Sequence, residues 1–172
     1  MTARPLAAAA LLGFALGLAA AAQAPRLLAQ PAQAPPPPAA RTAAPTPARA
    51  VADQAFAALT AGLATGACDP FFDLLADDVT FSFPTGKYVG THKGKAAAME
   101  FFRYVSAAFP QGITVTEVMR RTGSESTFVY EFRDEGLLRG EPYKNRVAIS
   151  LDVCGPKICG YREYFGSDGK SN

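Results

Sequence analysis

The chain has 172 residues and a formal charge of only +2, but that charge is unevenly spread. Residues 1–50 hold nine of the fourteen prolines and four arginines with no acid, whereas residues 51–172 carry thirteen basic against fifteen acidic side chains. With the cationic excess confined to the leader, no basic stripe remains to neutralise phosphates, which excludes an ordinary nucleic-acid partner.

The leader opens on "MTARP", a short positive start, and continues with the apolar run "LAAAALLGFALGLAAAA" ending in small residues. That order is expected of a signal peptide, residues 1–22, with cleavage after Ala22 and a periplasmic or secreted product that keeps no membrane segment. The Ala-x-Ala of "AQAP" is a rival site disfavoured by the following proline. An uncleaved anchor is the rival reading, since the run approaches bilayer-spanning length; alanine adds little to insertion, which favours cleavage. Residues 23–50 are almost all proline, alanine and glutamine and read as a disordered, extended spacer. Residues 51–172 are then one domain with a modest core.

Within that domain, residues 48–65 place Ala52, Phe56, Leu59 and Leu63 on one helical face, with Gly66 as a stop. Asp69, as N-cap, and Pro70 open a second short helix, whose apolar side runs on through Phe72, Leu75 and Val79. "VTFSF" alternates and puts Val79, Phe81 and Phe83 on one strand face. A loop with Pro84, Gly86 and Gly90 follows. Gly94 precedes a third helix with Ala98, Phe102, Val105 and Phe109 inward, ending at Pro110. From Gly112 onward the chain reads as strands: "ITVTEVMRR", "STFVYEFRDEGLL", "YKNRVAISLDV" and "GYREYFG". Helices first and a strand meander after make an α+β class.

The cysteines, Cys68, Cys154 and Cys159, lack zinc spacing, and the single histidine, His92, does not complete a metal site; no metal or cofactor is expected. Cys154 and Cys159 flank "GPKI". A two-residue turn on Pro156 and Lys157 would set them opposite each other in a non-hydrogen-bonded pair, close enough to bridge and leaving Cys68 free. A turn on Gly155 and Pro156 would shift that register and weaken the case.

The strings "DLLADDVTFSFP", "YVGTHKGKAAAMEFF", "VYEFRDEG", "GEPYKN" and "REYF", in this order over residues 50–168, resemble the SnoaL-like branch of the NTF2-like superfamily. The resemblance implies a curved antiparallel sheet wrapped on N-terminal helices, a cystatin-like cone with an apolar pocket. It also implies that Gly90 and Gly94 fill positions needing close approach or unusual dihedrals. The branch contains polyketide cyclases, ketosteroid isomerases and limonene-epoxide hydrolases, alongside members that only bind or assemble.

The same resemblance turns Tyr161, Glu163 and Phe165 of the last strand toward the pocket. Arg162 and Tyr164, with the row Val147, Ile149, Leu151 and Val153, then fall on the outer face. An apolar outer row needs cover, so a sheet-to-sheet homodimer is expected; inverted faces would make the row core instead. Against the hydrolases, Phe132 stands at an arginine position, while Asp134 and Glu163 match acids. Two such carboxyls in an apolar cone would be a candidate catalytic pair, although without the arginine both could be plain strand-end charges. The isomerase base, tyrosine and partner acid fall at Phe83, Ala55 and Ala148 or Ile149, so steroid isomerisation is not expected. His92 and Lys87, Lys93 and Lys95 read chiefly as a solvated loop. Phe81, Phe83, Phe128, Tyr130, Phe132, Tyr161 and Phe165 would wall a pocket for a small hydrophobic molecule, or fill the cone themselves.

Overall fold

The computed structural model describes residues 46–166. The expected signal peptide and most of the spacer lie outside the described residues. The first helix, α1 (Pro47–Thr65), starts inside the segment read as spacer. Thr46 supplies the reason: its side chain accepts from the Arg49 amide at 3.2 Å, and Pro47 needs no hydrogen-bond acceptor in the first turn. Ala52, Ala55, Phe56 and Leu59 form its buried face, and Gly66 closes it at φ 81.

A single turn, α2 (Asp69–Phe72), follows, with Cys68 rather than Asp69 at the cap. Leu75 and Val79, expected to extend this helix, instead belong to the strand β1 (Leu75–Phe83). The period-two pattern of Val79, Phe81 and Phe83 reaches back to Leu75 and overrides the helical reading.

The glycine-rich junction also holds more structure than a loop. A 3-10 turn (Gly86–Tyr88) leads into a short strand, β2 (Gly90–Lys93), which pairs antiparallel with β1. Gly90 and Gly94 both sit at φ 101, as the family resemblance implied. The Gly94 amide reaches back to the Val79 carbonyl at 2.7 Å and starts α3 (Lys95–Ala108). Its buried side is Ala98, Phe101, Phe102 and Ala108.

Four long strands complete the described residues: β3 (Ile113–Gly123), β4 (Thr127–Leu138), β5 (Glu141–Cys154) and β6 (Lys157–Gly166). The sheet is six-stranded, curved and unclosed, in the order β2-β1-β6-β5-β4-β3. All neighbours are antiparallel except β1 and β6, which run parallel.

Register corrects the assignment of faces. Val147, Ile149 and Leu151 stand directly opposite Phe165, Glu163 and Tyr161. Directly opposed residues of an antiparallel pair project to the same side, so the apolar row shares the inner face and is buried there. Arg162 and Tyr164 instead share the outer face with Ser150 and Ala148. The apolar outer row that motivated a homodimer is therefore core.

Cys154 and Cys159 are bonded, with Cα atoms 5.8 Å apart, and Cys68 is free and buried. The turn is the one on Gly155 and Pro156, since Cys154 pairs with Lys157. Gly155 accepts φ 60 in the first turn position. A bulge between the Asp152 and Val153 pairs recovers the approach of Cys159 that the shifted register would have lost.

Candidate functional site

Alternation along the inner face brings polar groups from three strands to one place. Asp134 comes from β4, Tyr143 from β5, and Tyr161 and Glu163 from β6; all line a cavity of about 70 Å³. Leu59 and Leu63 of α1 and Phe101, Phe102 and Val105 of α3 close it from the helical side. Phe83, Val105, Phe109, Tyr143 and Phe165 belong both to this chamber and to a wider outer cavity of about 270 Å³. The rings pair edge-on, Phe83 with Phe165 at 5.2 Å between centroids and Phe109 with Tyr143 at 4.9 Å. Among the described residues, Lys87 and Arg139 line the outer cavity, whereas no Lys, Arg or His lines the inner one.

The two acids have different surroundings. Asp134 is 5% exposed, and its Oδ1 has no hydrogen-bond partner. Burial pushes its carboxyl up to about 7. Glu163 accepts a hydrogen bond from the Tyr161 hydroxyl. Burial raises its carboxyl to about 7 as well, with the Tyr161 bond opposing and the Asp134 charge adding. The Tyr143 hydroxyl accepts from Asn145 Nδ2 at 2.8 Å. Burial, and next the charge of Asp134, holds the Tyr143 phenol above its ordinary range, so it remains a neutral donor. Near neutral pH the chamber thus holds two acids poised between forms, beside two un-ionised phenols.

Of the predicted ligand-binding rings, Phe83, Phe132, Tyr161 and Phe165 line the chamber. Phe81 and Tyr130 do not. Phe81 is stacked between His92 and Phe101, at 4.9 and 5.4 Å. Tyr130 lies flat on Phe56 at 4.3 Å and donates its hydroxyl to Asp53 at 2.8 Å. Phe128, under the Arg49 guanidinium, is likewise buried core. Rings therefore fill one part of the cone and leave another open. Asp134 and Glu163, the predicted carboxyl pair, do enter one cavity.

His92 is placed in β2 rather than in a solvated loop. Its Nε2 lies 3.0 Å from the Tyr88 carbonyl oxygen, and it lines neither cavity. Lys87 reaches the outer cavity; Lys93 and Lys95 do not. Sequence reasoning missed Tyr143 and Asn145. They continue the alternation of Val147, Ile149 and Leu151, so assigning that row to the inner face would have found them.

A family model described as a SnoaL-like domain matches residues 53–161. Among solved structures, an NTF2-like protein from Anabaena variabilis ATCC 29413 is 56% identical, with a TM-score of 0.70 over 73% of this chain and 94% of that one. An LEH-like epoxide hydrolase from M. tuberculosis is 18% identical, with a TM-score of 0.55 over 68% of this chain and 84% of its own. A protein of ketosteroid isomerase-like fold from Catenulispora acidiphila DSM 44928, in complex with trimethylamine, is 17% identical, with a TM-score of 0.57 and coverages of 66% and 85%. At that identity the last two share the fold alone. No curated protein matches the chain.

Proposed function

The chain belongs to the SnoaL-like family of NTF2-like domains, and from that premise we propose that it binds a small, largely apolar molecule in its cone. Asp134 and Glu163 are the polar groups that engage the guest. The observation that carries this reading is the placement of both carboxyls in one ring-lined chamber that adjoins a second, outer cavity. Apolar walls with a few convergent polar groups are the usual make-up of a small-molecule site. The trimethylamine complex of the Catenulispora protein is consistent with small-molecule binding on this fold. Ligand-observed NMR against small aromatic alcohols, ketones and amines tests the proposal. Saturation transfer is expected with the native chain and is lost when Val105→Trp fills the chamber; no transfer to any compound would overturn it.

A second reading, acid–base catalysis by a cofactor-free hydrolase or cyclase, is favoured by one observation. Both carboxyls sit near 7, so one can be protonated while the other orients a water. It ranks second because Phe132 occupies the place of a charge-pairing arginine and leaves the phenols of Tyr161 and Tyr143 as the donors nearby. Conversion of a small epoxide or lactone, abolished in both Asp134→Asn and Glu163→Gln, would promote it.

Export forms part of the proposal. The Cys154–Cys159 bond suits an oxidising compartment. N-terminal sequencing of the mature protein is expected to begin at Gln23, and retention of Met1 would refute cleavage. A homodimer forms no part of it.

A further inference from the structure

Resting on the reading of the cone as a binding pocket, the ligand class can be narrowed from charge. Among the described residues, two carboxyl groups line the inner chamber and no basic side chain lines it. From α1 and α3 only Leu59, Leu63, Phe101, Phe102 and Val105 face the acids; from the sheet the titratable neighbours are Tyr143 on β5 and Tyr161 on β6. None of these can carry a positive charge.

Donors are also short. The Tyr161 hydroxyl is committed to Glu163, and the Tyr143 hydroxyl, which accepts from the Asn145 amide and keeps its own proton, makes no bond to Asp134 Oδ1. Asp134 Oδ1 is left buried without a donor, an arrangement that costs free energy until something supplies one. The remaining walls include the rings of Phe83, Phe132 and Phe165, and aromatic faces attract cations in a desolvated site.

We propose that the inner chamber recognises a protonated amine. Its N–H donates to Asp134 Oδ1, its charge is shared with Glu163, and its apolar substituents lie on the rings and extend toward the outer cavity. The ligand thereby supplies the positive charge that the protein omits. An ionised carboxyl holds the cation better than a protonated one, and burial raises both to about 7, so affinity rises between about pH 6 and 8 while the amine stays protonated. Over that range Tyr143 and Tyr161 remain neutral, being raised above the ordinary phenol value.

Calorimetric titration of the full chain at pH 8 with benzylamine, benzyl alcohol and benzoate tests the assignment. Benzylamine should bind about tenfold or more tightly than benzyl alcohol, as a charge-assisted hydrogen bond allows, and benzoate should not bind. Asp134→Asn should lower benzylamine affinity about tenfold more than it lowers that for benzyl alcohol. Glu163→Gln, a second isosteric variant, should shift the same ratio in the same direction. Benzyl alcohol binding as well as benzylamine, or both variants leaving the ratio unchanged, would overturn the amine assignment while sparing the pocket. Binding of none of the three would overturn the pocket reading and the amine with it.

Discussion

Asp134 shows how one buried side chain sets a pH dependence for the whole domain. Its folded-state value, about 7 against an ordinary 3.8, means that the folded chain holds this proton more tightly than the unfolded chain does. Stability from such a group is fully present below about pH 4 and is lost as pH rises through about 7. Glu163, also raised by burial to about 7, acts in the same direction. Asp152 acts oppositely, because its hydrogen bonds with Arg162 lower its value, but its contribution is lost only as the pH falls below about 4. The melting temperature should therefore fall between pH 4.5 and 8, and Asp134→Asn should remove a large part of the slope. Thermal denaturation across that range checks it, and a flat native profile would contradict it. A second residue-scale prediction concerns Arg139, which holds φ 54 beside Gly140 at φ 94 in the turn between β4 and β5. A left-handed backbone strains most side chains but is tolerated by asparagine. Arg139→Asn should raise stability by roughly 0.5–1 kcal/mol in chemical denaturation.

At the scale of elements, the hairpin joining β5 and β6 carries the bond between Cys154 and Cys159. A loop this short gains on the order of 2 kcal/mol from closure in the chain-entropy account. Reduction, or Cys154→Ser with Cys159→Ser, should lower the melting temperature by several degrees without altering the fold; an unchanged value would mean that the bulged hairpin holds itself. The same hairpin marks the limit of what sequence could reveal. The cysteine spacing suggested a bridge, but the bulge that makes it compatible with a turn on Gly155 leaves no sign in composition. Alternation located β1 and β4 to β6 because their side chains face two different media. It could not say which face was inward on β5, since a strand between two neighbours is apolar on the core side whichever way it is turned. One inverted face removed Tyr143 and Asn145 from the expected site and produced a dimer surface that is core. The short β2 escaped because four residues at a sheet edge need no apolar pattern.

For the molecule as a whole, most of the order of elements was legible because helices and strands each carry their own period, whereas the cone came from the family resemblance alone. The division of the cone into a ring-filled part and an open chamber was not, since identical phenylalanines serve both. Phe81 and Phe83 are two residues apart on one strand, yet only the second reaches the cavities. The two cavities share Phe83, Val105, Phe109, Tyr143 and Phe165 as a partition, and Phe165 is 41% exposed. Phe165→Ala should join them at little cost in stability. The expected result is faster association and faster release of benzyl alcohol, read by NMR exchange, with affinity changed by less than about tenfold. Rates equal to those of the native chain would show that entry takes another path.

Because β6 lies between β1 and β5, those two strands are joined within the sheet only through it. A ribosome emitting this chain exposes α1, β1 and α3 long before the strand that joins them to the meander exists. The pair of β1 with β2 and the meander of β3, β4 and β5 can each form early, yet they become one sheet only with the final ten described residues, a long loop closure that slows folding.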